Sequence, residues 1–278
     1  MKLALLPLLL VAAAFAPLAP WIWSRWQAPD GFFSHGPLVP FAAAWLAWSR
    51  RRELAEACAE RRGDWRALLL ALPSAALLLA ATFARVDSPA AFALLLLAAA
   101  LAWLLHGPRC LKALAVPLAF LSFAVPWPME FLADAVQTLK QLVVTASSAL
   151  LAAAGTGIRA AGSYLVLPSG ERLLVDDECS GLSSAIALLA LGAFMAGSAT
   201  TLSAPRRLLL LALALPVALA ANLVRVVALA SIGRASGAAA VDGWHDATNA
   251  LVYVVAIVAF VSAERLLRRG EPAAGAAP

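Results

Sequence analysis

Three side chains, Cys179, Arg225 and His245, carry between them what is needed to break an acyl bond. A thiolate is a strong nucleophile, and it needs a base or a cationic neighbour to form near neutral pH. Cys179 follows the acidic run 176–178 and opens an apolar stretch, which predicts a helix N-terminus whose unpaired N–H groups favour an anion. The amides of Ser180 and Gly181 come next and can help bind one. His245 can take the thiol proton and return it to a leaving amine. Arg225, charged at any working pH, can steady the oxyanion of a tetrahedral intermediate. Each also has a plain structural reading. A cysteine at a helix start is commonly a small packing residue, and a histidine there is an ordinary interfacial one. An arginine in an apolar run can snorkel to the headgroups. Position decides between these readings, and the surrounding elements set position.

Of the 278 residues, 63% are hydrophobic, against roughly 45–50% in soluble domains. Apolar segments at about 3–23, 37–49, 67–84, 90–105, 113–127, 179–199, 208–232 and 247–264 predict an all-α polytopic membrane protein of about eight transmembrane helices. The second segment is short. The first could be a signal peptide, but the small-residue site at Ala14–Ala16 runs straight into Pro17, which favours an uncleaved helix. In such a chain the net charge of +5 says little about nucleic acid, and the placement of basic residues says much. They crowd every second loop: Arg50–Arg52, Arg61, Arg62 and Arg66; Arg109 and Lys112; Arg206 and Arg207; Arg265, Arg268 and Arg269. With Lys2 these are 14 of the 21 Lys and Arg, so these loops are expected in the cytoplasm. The nine tryptophans all fall at proposed boundaries, where the amphipathic ring prefers to sit.

The long interruption 128–178 is then external. Its first part, 130–154, spaces Glu130, Asp134 and Lys140 among apolar residues and predicts an interfacial or re-entrant amphipathic helix. SYLVLPSGERLLVDD reads as a small β-hairpin turning at Ser169–Gly170. One membrane domain, 1–264, with this outer-face insertion is followed by a tail, 265–278, basic and then rich in Pro, Ala and Gly. Arg225 stands 17 residues into a segment that starts inside, roughly 25 Å up a ~30 Å core. Cys179 and His245 open segments that start outside. Three helices thus bring three reactive groups to one depth on one side.

Around them, Asn222 lies three residues before Arg225 on the same helical face and can brace it, and Asp242 or Asp246 can orient His245. His35, in SHGPLVP, stands at the outer start of the second helix, where it can contact substrate or shape a turn. Asp176, Asp177 and Glu178 could bind a metal, but no matching ligand cluster accompanies them, and a solvated acidic edge is the simpler reading. No metal or cofactor is expected. Cys58, Cys110 and Cys179 form no CxxC, no Cys/His ligand set and no disulfide framework; Cys58, Cys110 and His106 fall on the cytoplasmic side and are set aside.

At these residues the chain resembles the exosortase/archaeosortase family of membrane transpeptidases. The matching pieces are SHGPLVP (34–40), PWPME (126–130), YLVLPSG (164–170), ECSGLSS (178–184), NLVRVV (222–227) and His245. The resemblance implies Cys179, Arg225 and His245 as the catalytic set of a multi-pass enzyme of the bacterial inner membrane, working on the extracytoplasmic side. It implies that the enzyme cleaves exported proteins carrying a C-terminal signal, a short motif such as Pro-Glu-Pro, then a membrane helix and a basic cluster. Transfer to a surface acceptor would pass through a thioester, in a setting tied to exopolysaccharide. Glu178, where many members carry a small residue, leaves the recognised motif open. Two rivals stand beside this. A non-enzymatic transporter or exopolysaccharide-assembly subunit would need more charge in the membrane, or an inverted repeat. An intramembrane serine protease at Ser180, Ser183 or Ser184 lacks a GxSxG motif.

Overall fold

Prolines and glycines set where the apolar runs begin, bend and stop. Gly107 takes φ 85° and Pro108 starts the next helix, so the run around them becomes two antiparallel helices and not one. The computed structural model describes residues 13–28, 31–59, 63–128, 133–175 and 182–269 and divides into two compact units, 1–29 with 33–128 and 30–32 with 129–278.

The first unit holds α1 (Ala19–Trp26), α2 (Val39–Ser49), α3 (Arg51–Ala59), α4 (Leu68–Ala84), α5 (Asp87–His106) and α6 (Pro108–Leu121). α4 and α5 form a hairpin closed by Arg85 in the left-handed region, and α6 packs against α5, α2 and α3. At one end of this unit the Trp26 indole N–H donates to the Ala124 carbonyl at 2.9 Å, and the Ser88 hydroxyl donates to the Pro126 carbonyl. At the other end Trp103 Nε1 donates to Asp64 Oδ2 at 2.9 Å, and Asp64 caps the turn before α4 by accepting from the Arg66 N–H. Here Cys58 and Cys110 are joined as a disulfide. That corrects the expectation of no disulfide: 52 residues separate the pair in sequence, and only the folding of α3 against α6 brings them together.

The second unit holds α7 (Ala133–Ala153), a three-stranded antiparallel sheet, α8 (Leu182–Ser198), α9 (Ala204–Ala212), α10 (Ala214–Ser236) and α11 (His245–Arg269). In the sheet β2 (Tyr164–Val166) pairs with β3 (Arg172–Leu174) as expected, and β1 (Arg159–Ala161) adds a strand on the other edge. The expected helix at 208–232 starts earlier, at Ala204, and divides at Leu213, because Pro216 has no N–H to offer the Ala212 carbonyl. α7 lays Lys140, Val143, Val144, Ser147 and Leu151 on one buried face, so the lysine expected on its polar side is inside. One end of this unit is basic. There Arg206 donates to the Leu267 carbonyl at 3.0 Å, Arg207 to those of Leu202 and Thr200 at 2.7 and 2.6 Å, and Arg268 to the Thr201 hydroxyl at 2.6 Å.

Among the described residues four helices are long and apolar enough to cross a bilayer, at Trp65–Ala84, Asp87–His106, Ala204–Ser236 and Ala247–Arg269. About eight transmembrane helices were expected, the second of them short. α2 and α6, with 11 and 14 residues, fall short of the roughly 20 that a span needs, and the described part of α8 has 17. Residues 3–12 of the first apolar segment lie outside the described residues.

Candidate functional site

α10 has one buried face, built from Ala214, Ala218, Ala221, Asn222, Arg225, Val226, Leu229, Ala230 and Gly233. These follow one another at spacings of three, four and one, a single stripe of a 3.6-residue period. Small residues let neighbouring helices approach closely, and α8 and α11 both pack against α10 and against each other. Into this stripe the sequence places an amide and a guanidinium, with Asn222 and Arg225 only 0% and 1% exposed. A snorkelling arginine would carry its head out of the protein; this one is enclosed by it.

The C-terminal half of α10 is covered by the sheet. Leu165, Leu167 and Val175 form one cluster with Val226, Leu229, Ala230 and Val241, and α7 contributes Val143, Val144 and Leu151. A methyl at Gly233 would meet Leu173 at 2.8 Å, so a glycine there lets β3 rest on the helix. At the tip of the hairpin Ser169 Oγ donates to the Glu171 carboxylate at 3.0 Å, and the same carboxylate accepts the Ala238 N–H at 3.4 Å, tying the turn to the 238–244 connection. The chain therefore leaves the sheet at Val175, beside Val226, and re-enters described structure at Leu182, the first residue of α8. Cys179, Ser180 and Gly181 lie in the interval and outside the described residues, as does the acidic run 176–178. His245 opens α11 directly after the connection, and one turn on the buried Thr248 hydroxyl donates to the Trp244 carbonyl at 2.9 Å. The side chains of Asp242, His245 and Asp246 lie outside the description. Among the described residues no group of three His, Cys, Asp or Glu could hold a metal ion.

His35 belongs to the first unit. Its ring nitrogens are shielded from solvent without a well-formed hydrogen bond, and burial, only partly offset by the Phe123 backbone, holds its pKa below the usual histidine value. Gly36 beside it is sterically required, since a Cβ there would stand 2.1 Å from the Trp26 indole nitrogen.

These elements define a helical membrane protein with a cation enclosed among its helices, beside a small sheet. The transmembrane exosortase family model matches residues 23–262, and the chain belongs to that family. Comparison with curated proteins and with solved structures gave no match.

Proposed function

We propose that the protein is a cysteine transpeptidase of the inner membrane, with its site on the extracytoplasmic side, acting on exported proteins that carry a C-terminal sorting signal. The observation that carries this reading is Arg225, fully enclosed on the face of α10 against which α8 and α11 pack. A buried, obligatory cation among apolar helices costs several kcal/mol and is retained where its charge is used. Support comes also from the chain path. The segment holding Cys179 departs from Val175, which shares a cluster with Val226, and His245 opens the helix that flanks Arg225.

In the proposed mechanism the Cys179 thiolate attacks the scissile carbonyl carbon. Negative charge gathers on the oxygen, facing the Arg225 guanidinium and the amides of Ser180 and Gly181. The C–N bond breaks as His245 gives its proton to the leaving amine, leaving a thioester on Cys179. An acceptor nucleophile on the cell surface then attacks, His245 takes its proton, and the thiolate departs. Asn222, one turn before Arg225 on the same face, holds the guanidinium in register.

The test is to trap the thioester. With a substrate bearing the signal, wild-type enzyme in membranes should form a hydroxylamine-sensitive adduct, and Cys179→Ala should form none while inserting at the normal level. Normal processing by Cys179→Ala would overturn the reading.

A further inference from the structure

The first unit contains a cavity of about 980 Å³ with an almost wholly apolar lining. It runs from Trp26 and Ala124 at one end to Ala55, Cys58, His106 and Cys110 at the other. The second end is lined by α3, a short helix with no fully buried residue, whose Arg51, Arg52, Glu53 and Glu56 are exposed. α3 packs against α6, α2 and α5, and its Leu54, Ala57 and Cys58 are half-buried. Three small side chains, Ala55, Cys58 and Ala59, face the cavity, and His106 Nδ1 lies 3.0 Å from the Cys58 carbonyl oxygen. A further link is covalent, the Cys58–Cys110 disulfide between α3 and α6.

This bond stands at the end of the unit that also carries Arg50–Arg52, Arg66, Arg109 and Lys112. By the positive-inside pattern that end faces the cytoplasm, where disulfides are rare and, when present, are usually transient or redox-sensing. We propose that Cys58 and Cys110 are a reversible thiol–disulfide modification site that latches α3 over one end of the apolar cavity. The proposal rests on the sidedness reading and not on the chemistry assigned to Cys179.

The two sulfurs differ in access, which sets the order of exchange. Cys110 is 1% exposed, whereas Cys58 is half-buried. The thiolate of a small cytosolic thiol of the glutathione class attacks Cys58 Sγ. The S–S bond breaks, and its electron pair leaves on Cys110 Sγ, which then takes a proton. A second small thiol attacks the mixed disulfide, freeing the Cys58 thiol and releasing the oxidised small disulfide. Two electrons pass to the protein pair; the reverse sequence, driven by a small disulfide, closes the latch. With the bond open, α3 keeps its packing on α2, α5 and α6 but no fully buried residue, a condition that favours local opening below the global stability.

The experiment counts thiols in the full-length protein in cells, in a Cys179→Ala background so that only this pair reports. Growing cells treated with a membrane-permeant alkylating reagent should yield two modified cysteines. A pulse of diamide beforehand should leave none, and recovery in fresh medium should restore both. Hydrogen exchange of the purified protein in nanodiscs should be severalfold faster across 51–59 after reduction, with Cys58→Ala/Cys110→Ala matching the reduced wild type. A pair that stays unmodified in growing cells until denatured and reduced is a permanent structural bridge and overturns the proposal. So does a pair that stays fully modifiable after diamide, a pair reached by an impermeant reagent from outside intact cells, or equal exchange across 51–59 in the two redox states.

Discussion

Arg225 was legible because a residue that is always charged stands out in an apolar run, and its enclosure gives that signal a sharper meaning. As an oxyanion ligand it would act through directed N–H donors, which lysine, a compact point charge, does not reproduce. Arg225→Lys should insert normally yet turn over more slowly by about 10²–10³, the cost of one lost oxyanion donor. Arg225→Ala should be slower still. Processed product per unit of inserted enzyme is the measurement, and near-wild-type turnover for Arg225→Lys would remove the residue from the site. The burial of Lys140 was not legible, because nothing in a sequence says which face of α7 is buried. The cysteine pair was illegible for the same reason, since contact across 52 residues is a property of the fold.

At the scale of elements, long apolar runs and the hairpin turn were readable from period and turn chemistry, and β1 was not. Its sequence, Arg159-Ala160-Ala161, carries no β-branched or aromatic residue, and it is a strand because Gly162, at φ 61°, folds it back beside Tyr164–Val166. The break between α9 and α10 was available from Pro216 and was outweighed by continuous hydrophobicity. Close packing at the SHGPLVP turn gives an element-level test. Gly36→Ala places a methyl inside the Trp26 ring, with Cβ 2.1 Å from Nε1, and so dislodges the indole that donates to the Ala124 carbonyl. Overpacking of this kind costs about 1–3 kcal/mol. A lowered melting temperature in detergent should accompany it, while Gly31→Ala, which meets no neighbouring atom, bears only the strain of a positive φ and should lose less.

For the whole molecule, sidedness is the expectation on which the function depends. Reporter fusions after Gly170 and after Arg207 should report opposite compartments, with Gly170 outside; the same compartment for both would remove Cys179 from the proposed face. The expectation comes from the charge pattern, in which every second loop of the sequence is rich in arginine. The number of full crossings was less legible, since hydropathy marks apolar runs and does not fix helix length. The shortness of α2 and α6 bears on the lipid around them. At 1.5 Å per residue, 11 and 14 residues reach roughly 16 and 21 Å, against a hydrocarbon layer of ~30 Å. Where such helices face lipid, the bilayer must pinch to meet them, at fractions of a kcal/mol per Å of mismatch. Reconstituted into bilayers of graded acyl-chain length, the protein should therefore be most stable in the thinner ones and lose stability as the chains lengthen. A preference of that kind would sort it laterally, concentrating it in thin regions of the membrane and away from thick ones.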